Sequence, residues 1–156
     1  GRAGQLLDDF LAQAGISRDE DVYIINTVKC RPPENRVPTS EEQSACRKFL
    51  NAQIDIINPR AIILCGATAL KSFVELDKKQ TISKVRGQWM NINVDGKDYK
   101  AMTIFHPSYL LRNGSMAEGS PRRLMQQDLA NIKNEILPDI SHNENIFAEC
   151  KDLALV

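Results

Sequence analysis

The residues best equipped for chemistry stand together in Phe105-His106-Pro107-Ser108-Tyr109-Leu110-Leu111-Arg112, directly after the apolar β-type run Ala101-Met102-Thr103-Ile104-Phe105. A proline after His106 holds the histidine in extended backbone and ends the strand there. That places an imidazole at the carboxyl end of a strand, with the Ser108 hydroxyl and the Arg112 guanidinium close behind. In an open α/β sheet the crevice at such strand ends is where ligands bind. His106 can be a working residue at that edge, or it can be a hydrogen-bonded structural residue; its place on a loop speaks for function. Ser108 is a poor nucleophile, because it stands only two residues from His106 and no Gly-x-Ser-x-Gly elbow surrounds it.

Other residues with chemistry are scattered along the chain. Asn26 ends a β-branched run, Val22-Tyr23-Ile24-Ile25-Asn26-Thr27-Val28, and Gly66 ends the run Ala61-Ile62-Ile63-Leu64-Cys65. The chain has four cysteines, and nothing in it suggests secretion, so thiols or metal ligands are expected rather than disulfides. Cys65, in an apolar strand, reads as a buried thiol.

The elements that must position these residues alternate along the chain. Leu6, Leu7, Phe10, Leu11 and Ala14 have helical spacing, and Gly15 is placed as a stop. The strand of Asn26 comes next, and then a segment whose prolines, Pro32, Pro33 and Pro38, forbid regular structure. Thr39 or Ser40 caps a helix with apolar positions Ala45, Phe49, Ala52 and Ile56, Thr39 having Glu42 at the capping-box spacing. The strand ending at Gly66 leads into another helix. A hairpin turning at Asp95-Gly96 delivers His106, and Pro121 to Ile136 forms an amphipathic helix. This order predicts a three-layer α/β/α sandwich around a mostly parallel sheet of about four strands, with Asn26, Gly66 and His106 at one edge. In an α/β fold a helix normally follows a strand, so the opening helix implies that a first strand is missing. The domain is expected over residues 1–138, with residues 139–156 as a loosely held polar tail.

Composition bounds the partners. Twenty Lys and Arg balance 20 Asp and Glu among 156 residues, so contact with nucleic acid must come from a local cluster such as Lys84, Arg86, Arg112, Arg122 and Arg123. Arginines at a helix start can equally be solvent-facing. No apolar run reaches the length of about 18 residues that spans a membrane. A cytoplasmic, monomeric protein is expected.

The loop after His106 resembles the second active-site motif of the uracil-DNA glycosylase superfamily, a His-Pro-Ser/Ala element followed by a leucine that enters DNA. Val22 to Pro33 is similar to the signature of that superfamily's iron-sulfur family 4, a strand ending Asn-x-Val-Lys-Cys-Arg-Pro-Pro. Ala45-Cys46, Phe49-Leu50, Leu64-Cys65-Gly66 and Arg86-Gly87-Gln88-Trp89 continue the likeness in order over roughly the first 137 residues.

The resemblance implies hydrolytic excision of uracil from DNA after base flipping. His106 is then the catalytic donor to uracil O2. Asn26 reads the uracil O4 and N3-H edge, with Gly66 beside the base. Ser108 bonds a phosphate through its hydroxyl or its backbone amide, and Arg112 supplies positive charge. Leu110 enters the base stack, the alternative being that Leu110 and Leu111 only anchor the loop. Cys30 and Cys46 are two of the ligands of a four-iron cluster. The family also carries an upstream Cys-x-x-Cys pair, a Gly-Glu-x-Pro-Gly motif that handles the attacking water, and an aromatic that stacks on the base. Gly1-Arg2-Ala3-Gly4-Gln5-Leu6-Leu7-Asp8 resembles the family's segment immediately after that aromatic. The chain is therefore expected to be an N-terminally truncated piece, inactive by itself and without a complete cluster. The competing class is a non-catalytic nucleic-acid or nucleotide-binding module associated with a polymerase.

Overall fold

The apolar run Ala61-Ile62-Ile63-Leu64-Cys65 becomes strand β2 (Ala61–Cys65), buried from Ala61 to Leu64, which is how a strand covered on both faces reads. The computed structural model describes residues 2–17, 21–24, 39–74, 81–112, 114–136 and 153–155. In chain order the other elements are α1 (Arg2–Gln13), β1 (Val22–Ile24), α2 (Ser40–Ile57), α3 (Gly66–Phe73), α4 (Ile82–Val85), β3 (Trp89–Val94), β4 (Lys97–Ile104), α5 (Pro107–Leu110), α6 (Pro121–Ile136) and β5 (Leu153–Leu155).

The sheet has five strands in the order β1-β5-β2-β4-β3. β1, β5, β2 and β4 run parallel, and β3 pairs antiparallel with β4 through the Asp95-Gly96 turn. This is the mostly parallel sheet expected, with one strand that the sequence did not announce. Leu153–Leu155, read as part of the polar tail, lies between β1 and β2, with Leu153 level with both Val22 and Ala61.

Alternation along the strands separates two cores. Ala61 and Ile63 of β2, with Met102 and Ile104 of β4, face Leu7, Phe10 and Leu11 of α1 and Met125, Leu129 and Ile132 of α6. Ile62 and Leu64, with Tyr99 and Ala101, face Leu50, Ile54 and Ile57 of α2 and Leu70 of α3. Helices thus cover both sides, which is the three-layer sandwich.

One apolar face is reversed from expectation. On α2 the buried stripe is Leu50, Ile54 and Ile57, whereas Ala45 and Ala52 are exposed and Phe49 and Ile56 are 53% and 77% exposed. Both stripes have helical spacing, so periodicity alone does not choose between them. No helix among the described residues is long and apolar enough to cross a membrane.

Candidate active site

Because β2 and β4 are parallel and in register at Cys65 and Ile104, the residues that come after them emerge at one edge of the sheet. A cleft of about 290 Å³ opens there, lined by Gly66, Ala67, Ile82, Ser83, Phe105, His106 and Tyr109. Gly66 and Ala67 form the first turn of α3, whose backbone N–H groups have no partner inside the helix and carry its positive dipole end. Phe105 is buried, and its ring lies 5.1 Å from that of Tyr109.

His106 is exposed and caps α5. Its Nδ1 accepts a hydrogen bond from the Ser108 backbone N–H at 3.0 Å. A ring nitrogen that accepts carries no proton, so this bond assigns the imidazole proton to Nε2 and leaves Nε2–H as the outward donor. The same bond occupies the Ser108 amide, so of the two phosphate donors expected at Ser108 only the hydroxyl is left.

Gly66 is fixed against His106. Its φ is +91°, and a Cβ there would stand 3.0 Å from the His106 Cβ. Gly66→Ala is therefore expected to cost about 1–3 kcal/mol of stability from backbone strain and to displace the imidazole. Thermal melting would check it; an unchanged melting temperature would mean that the backbone relaxes without cost.

Comparison with known proteins gives this edge of the sheet a context. Residues 1–130 match the family model described as Uracil DNA glycosylase superfamily. The chain belongs to that superfamily. It is 53% identical over 139 residues to the type-4 uracil-DNA glycosylase of Thermotoga maritima, covering 87% of this chain and 67% of the relative. With the type-4 uracil-DNA glycosylase of Archaeoglobus fulgidus it shares 40% identity over 120 residues, 76% of this chain and 60% of the relative. A DNA polymerase of Bacillus phage SP01 is 40% identical over 112 residues, 72% of this chain but 11% of the polymerase.

Leu110, which the motif resemblance sends into the base stack, is packed inward in this DNA-free structure. Leu110 is 0% exposed and belongs to the core shared by α1 and α6, and its carbonyl accepts from Arg122 Nε at 3.1 Å. The large apolar side chains that reach solvent on this loop are Tyr109 and Leu111, at 47% and 37% exposure, and Met116 comes next at 44%. The physical reason is the short helix α5. Pro107 at its first position starts a helical turn as readily as it ends a strand, and that turn rotates Leu110 inward. Arg112 is exposed.

Asn26 and Cys30 lie outside the described residues, as does the side chain of Cys46. A metal site is not assembled from what is described: no group of three or more His, Cys, Asp or Glu residues there could hold an ion. Cys65 does not fit as a thiolate ligand, because burial pushes its thiol up to about 12. The described donors thus do not fit an iron-sulfur cluster, and no step of the chemistry is routed through one. Phe105, Tyr109, Ile82 and Ser83 line the cleft without having been singled out. The two aromatics were visible in the His106 stretch, but nothing in the sequence marked Ile82 and Ser83.

Proposed function

We propose that the protein excises uracil from DNA by hydrolysis of the N-glycosidic bond after base flipping. The observation that carries this reading is the Nε2–H tautomer of His106 at the mouth of a cleft sized for a small ring, beside the N-terminus of α3. When the glycosidic bond breaks, uracil leaves as an anion, and a preorganised donor aimed at the developing charge stabilises the transition state. The dipole of α3 acts in the same sense. Asn26 is assigned the O4 and N3-H edge of uracil. Cytosine presents the reverse pattern, so it would leave buried polar atoms mismatched.

The exposed Ser108 hydroxyl and Arg112 are assigned to phosphates, and Leu111, rather than the buried Leu110, to the base stack. Cys30 and Cys46 are retained as two ligands of a four-iron cluster on the strength of the motif resemblance. A cytoplasmic monomer acting on uracil-containing DNA completes the reading.

Among the described residues that line the cleft there is no carboxylate, so the group that activates water is to be sought elsewhere in the protein. The protein is expected to release uracil from a labelled oligonucleotide, and a complete lack of release would remove the reading. In that protein Asn26→Asp is expected to slow uracil release and narrow the preference over cytosine, since a carboxylate cannot donate to O4. Equal rates for wild type and variant on both bases would remove Asn26 from the site.

The similarity to a phage DNA polymerase favours a second reading, a DNA-binding module without chemistry. Salt-sensitive binding of DNA by the full-length protein, with no uracil released at any enzyme concentration, would decide for it.

A further inference from the structure

A buried ion pair lies outside everything assigned so far. Asp128 sits in the middle of α6, where the helical pattern calls for an apolar residue, and only 3% of its side chain is exposed. Its Oδ1 accepts from Arg86 Nη1 at 2.7 Å. Asp128 Oδ2 and Arg86 Nε are buried with no hydrogen-bond partner among the described residues.

Arg86 comes immediately after α4, and α4 contributes Ile82 and Ser83 to the wall of the cleft. The segment is clamped from several directions. Val85 is buried in the α2 and α3 core, Ile82 packs against the α1 and α6 core, and Gly87 N–H donates to the Thr103 carbonyl of β4 at 3.0 Å. Gly87 has φ +77°, and a Cβ there would stand 2.6 Å from Asp128 Oδ1. Asp128 therefore pairs with the side chain of Arg86 and lies close against the backbone of the next residue.

We propose that the Arg86–Asp128 pair is a positioning device that holds α4 as the cleft wall, fixing Ile82 and Ser83 against the base that enters. It rests on the reading of the cleft as a uracil pocket. A pair retained for stability alone would be a poor solution here. A carboxylate taken out of water and a guanidinium left only 20% exposed, with one shared hydrogen bond and unsatisfied atoms left over, make the kind of pair that apolar residues commonly replace at no loss. Burial pushes the Asp128 carboxyl up even with the guanidinium beside it, which shows that its charge is held in the fold at a cost. Position accounts for that cost, because the pair links the segment bearing the cleft wall to α6 on the other layer.

The test compares wild type with Asp128→Asn, with the double variant Arg86→Met/Asp128→Leu, and with Leu129→Ala as a core-weakening control on the same helix. Melting temperature, amide hydrogen exchange, KM and kcat are all measured on the same protein, the last two with a uracil-containing oligonucleotide. The double variant is expected to melt no lower than wild type. Exchange at residues 81–88 is expected to rise, and KM to rise about tenfold with kcat within about threefold, because the wall touches the base before and during bond cleavage alike. Asp128→Asn should shift exchange and KM in the same direction, and Leu129→Ala should lower the melting temperature without raising KM. Wild-type exchange and KM in the double variant would overturn the proposal. So would a double variant that melts well below wild type, since the pair would then be a stabilising contact. If wild type releases no uracil at all, the functional reading falls, and exchange at residues 81–88 still decides the pair.

Discussion

Replacing His106 with alanine is expected to lower uracil release by the full-length protein about 100- to 1,000-fold, the loss seen when one donor to a developing anion is removed. An effect of this size is grounded in geometry. The bond from the Ser108 N–H to Nδ1 fixes both the ring orientation and the tautomer, so Nε2–H is set in place before the base arrives and no reorganisation is needed during the reaction. The effect should fall on kcat, because uracil carries the charge only as the bond breaks. Stability should hardly change: His106 is exposed, and losing its capping bond costs about 1 kcal/mol. Single-turnover rates on a uracil oligonucleotide, read beside a melting curve, separate these effects. A rate within about threefold of wild type would show that charge on the leaving base is stabilised elsewhere, with the N-terminus of α3 the first place to look.

What was legible in the sequence depended on whether one signal sufficed. The strand ending at Gly66 and the hairpin leading to His106 were readable because a continuous apolar run and an Asp-Gly turn each have one structural solution here. Their convergence followed from parallel pairing, and the structure brings Gly66 and His106 into contact. The failures arose where the pattern allowed two solutions. On α2, Ala45, Phe49, Ala52 and Ile56 make as regular a stripe as Leu50, Ile54 and Ile57, and tertiary packing selected the second. Leu153-Ala154-Leu155 is too short and too isolated to announce a strand, yet it pairs on both sides. Asp128 ran against the pattern. A carboxylate in an apolar helical stripe can be explained only by a partner 42 residues away, which no local rule supplies.

The adjacent leucines of the His106 loop should give opposite results in one experiment. Leu110→Ala removes a side chain with 0% exposure from the α1 and α6 core, and is expected to cost about 2–5 kcal/mol, a large share of the roughly 5–15 kcal/mol that holds a domain folded. For a domain of this size each kcal/mol lowers the melting temperature by about 2–4 °C. Any loss of uracil release should then be the same on single-stranded and duplex substrates, because what is lost is the fold that presents the loop. Leu111→Ala removes a half-exposed side chain and should leave the melting temperature within the range of about 0.5 kcal/mol typical of surface changes. Extruding a paired nucleotide costs a few kcal/mol that an inserted apolar side chain helps to offset, so this variant is expected to slow release from duplex DNA about tenfold or more while sparing single strands, where there is no stack to replace. Melting curves and release rates on the two substrates therefore assign the roles. If Leu110→Ala melts like wild type and loses activity on duplex alone, the buried leucine must swing out when DNA binds, and the wedge returns to the position that the superfamily's motif first suggested.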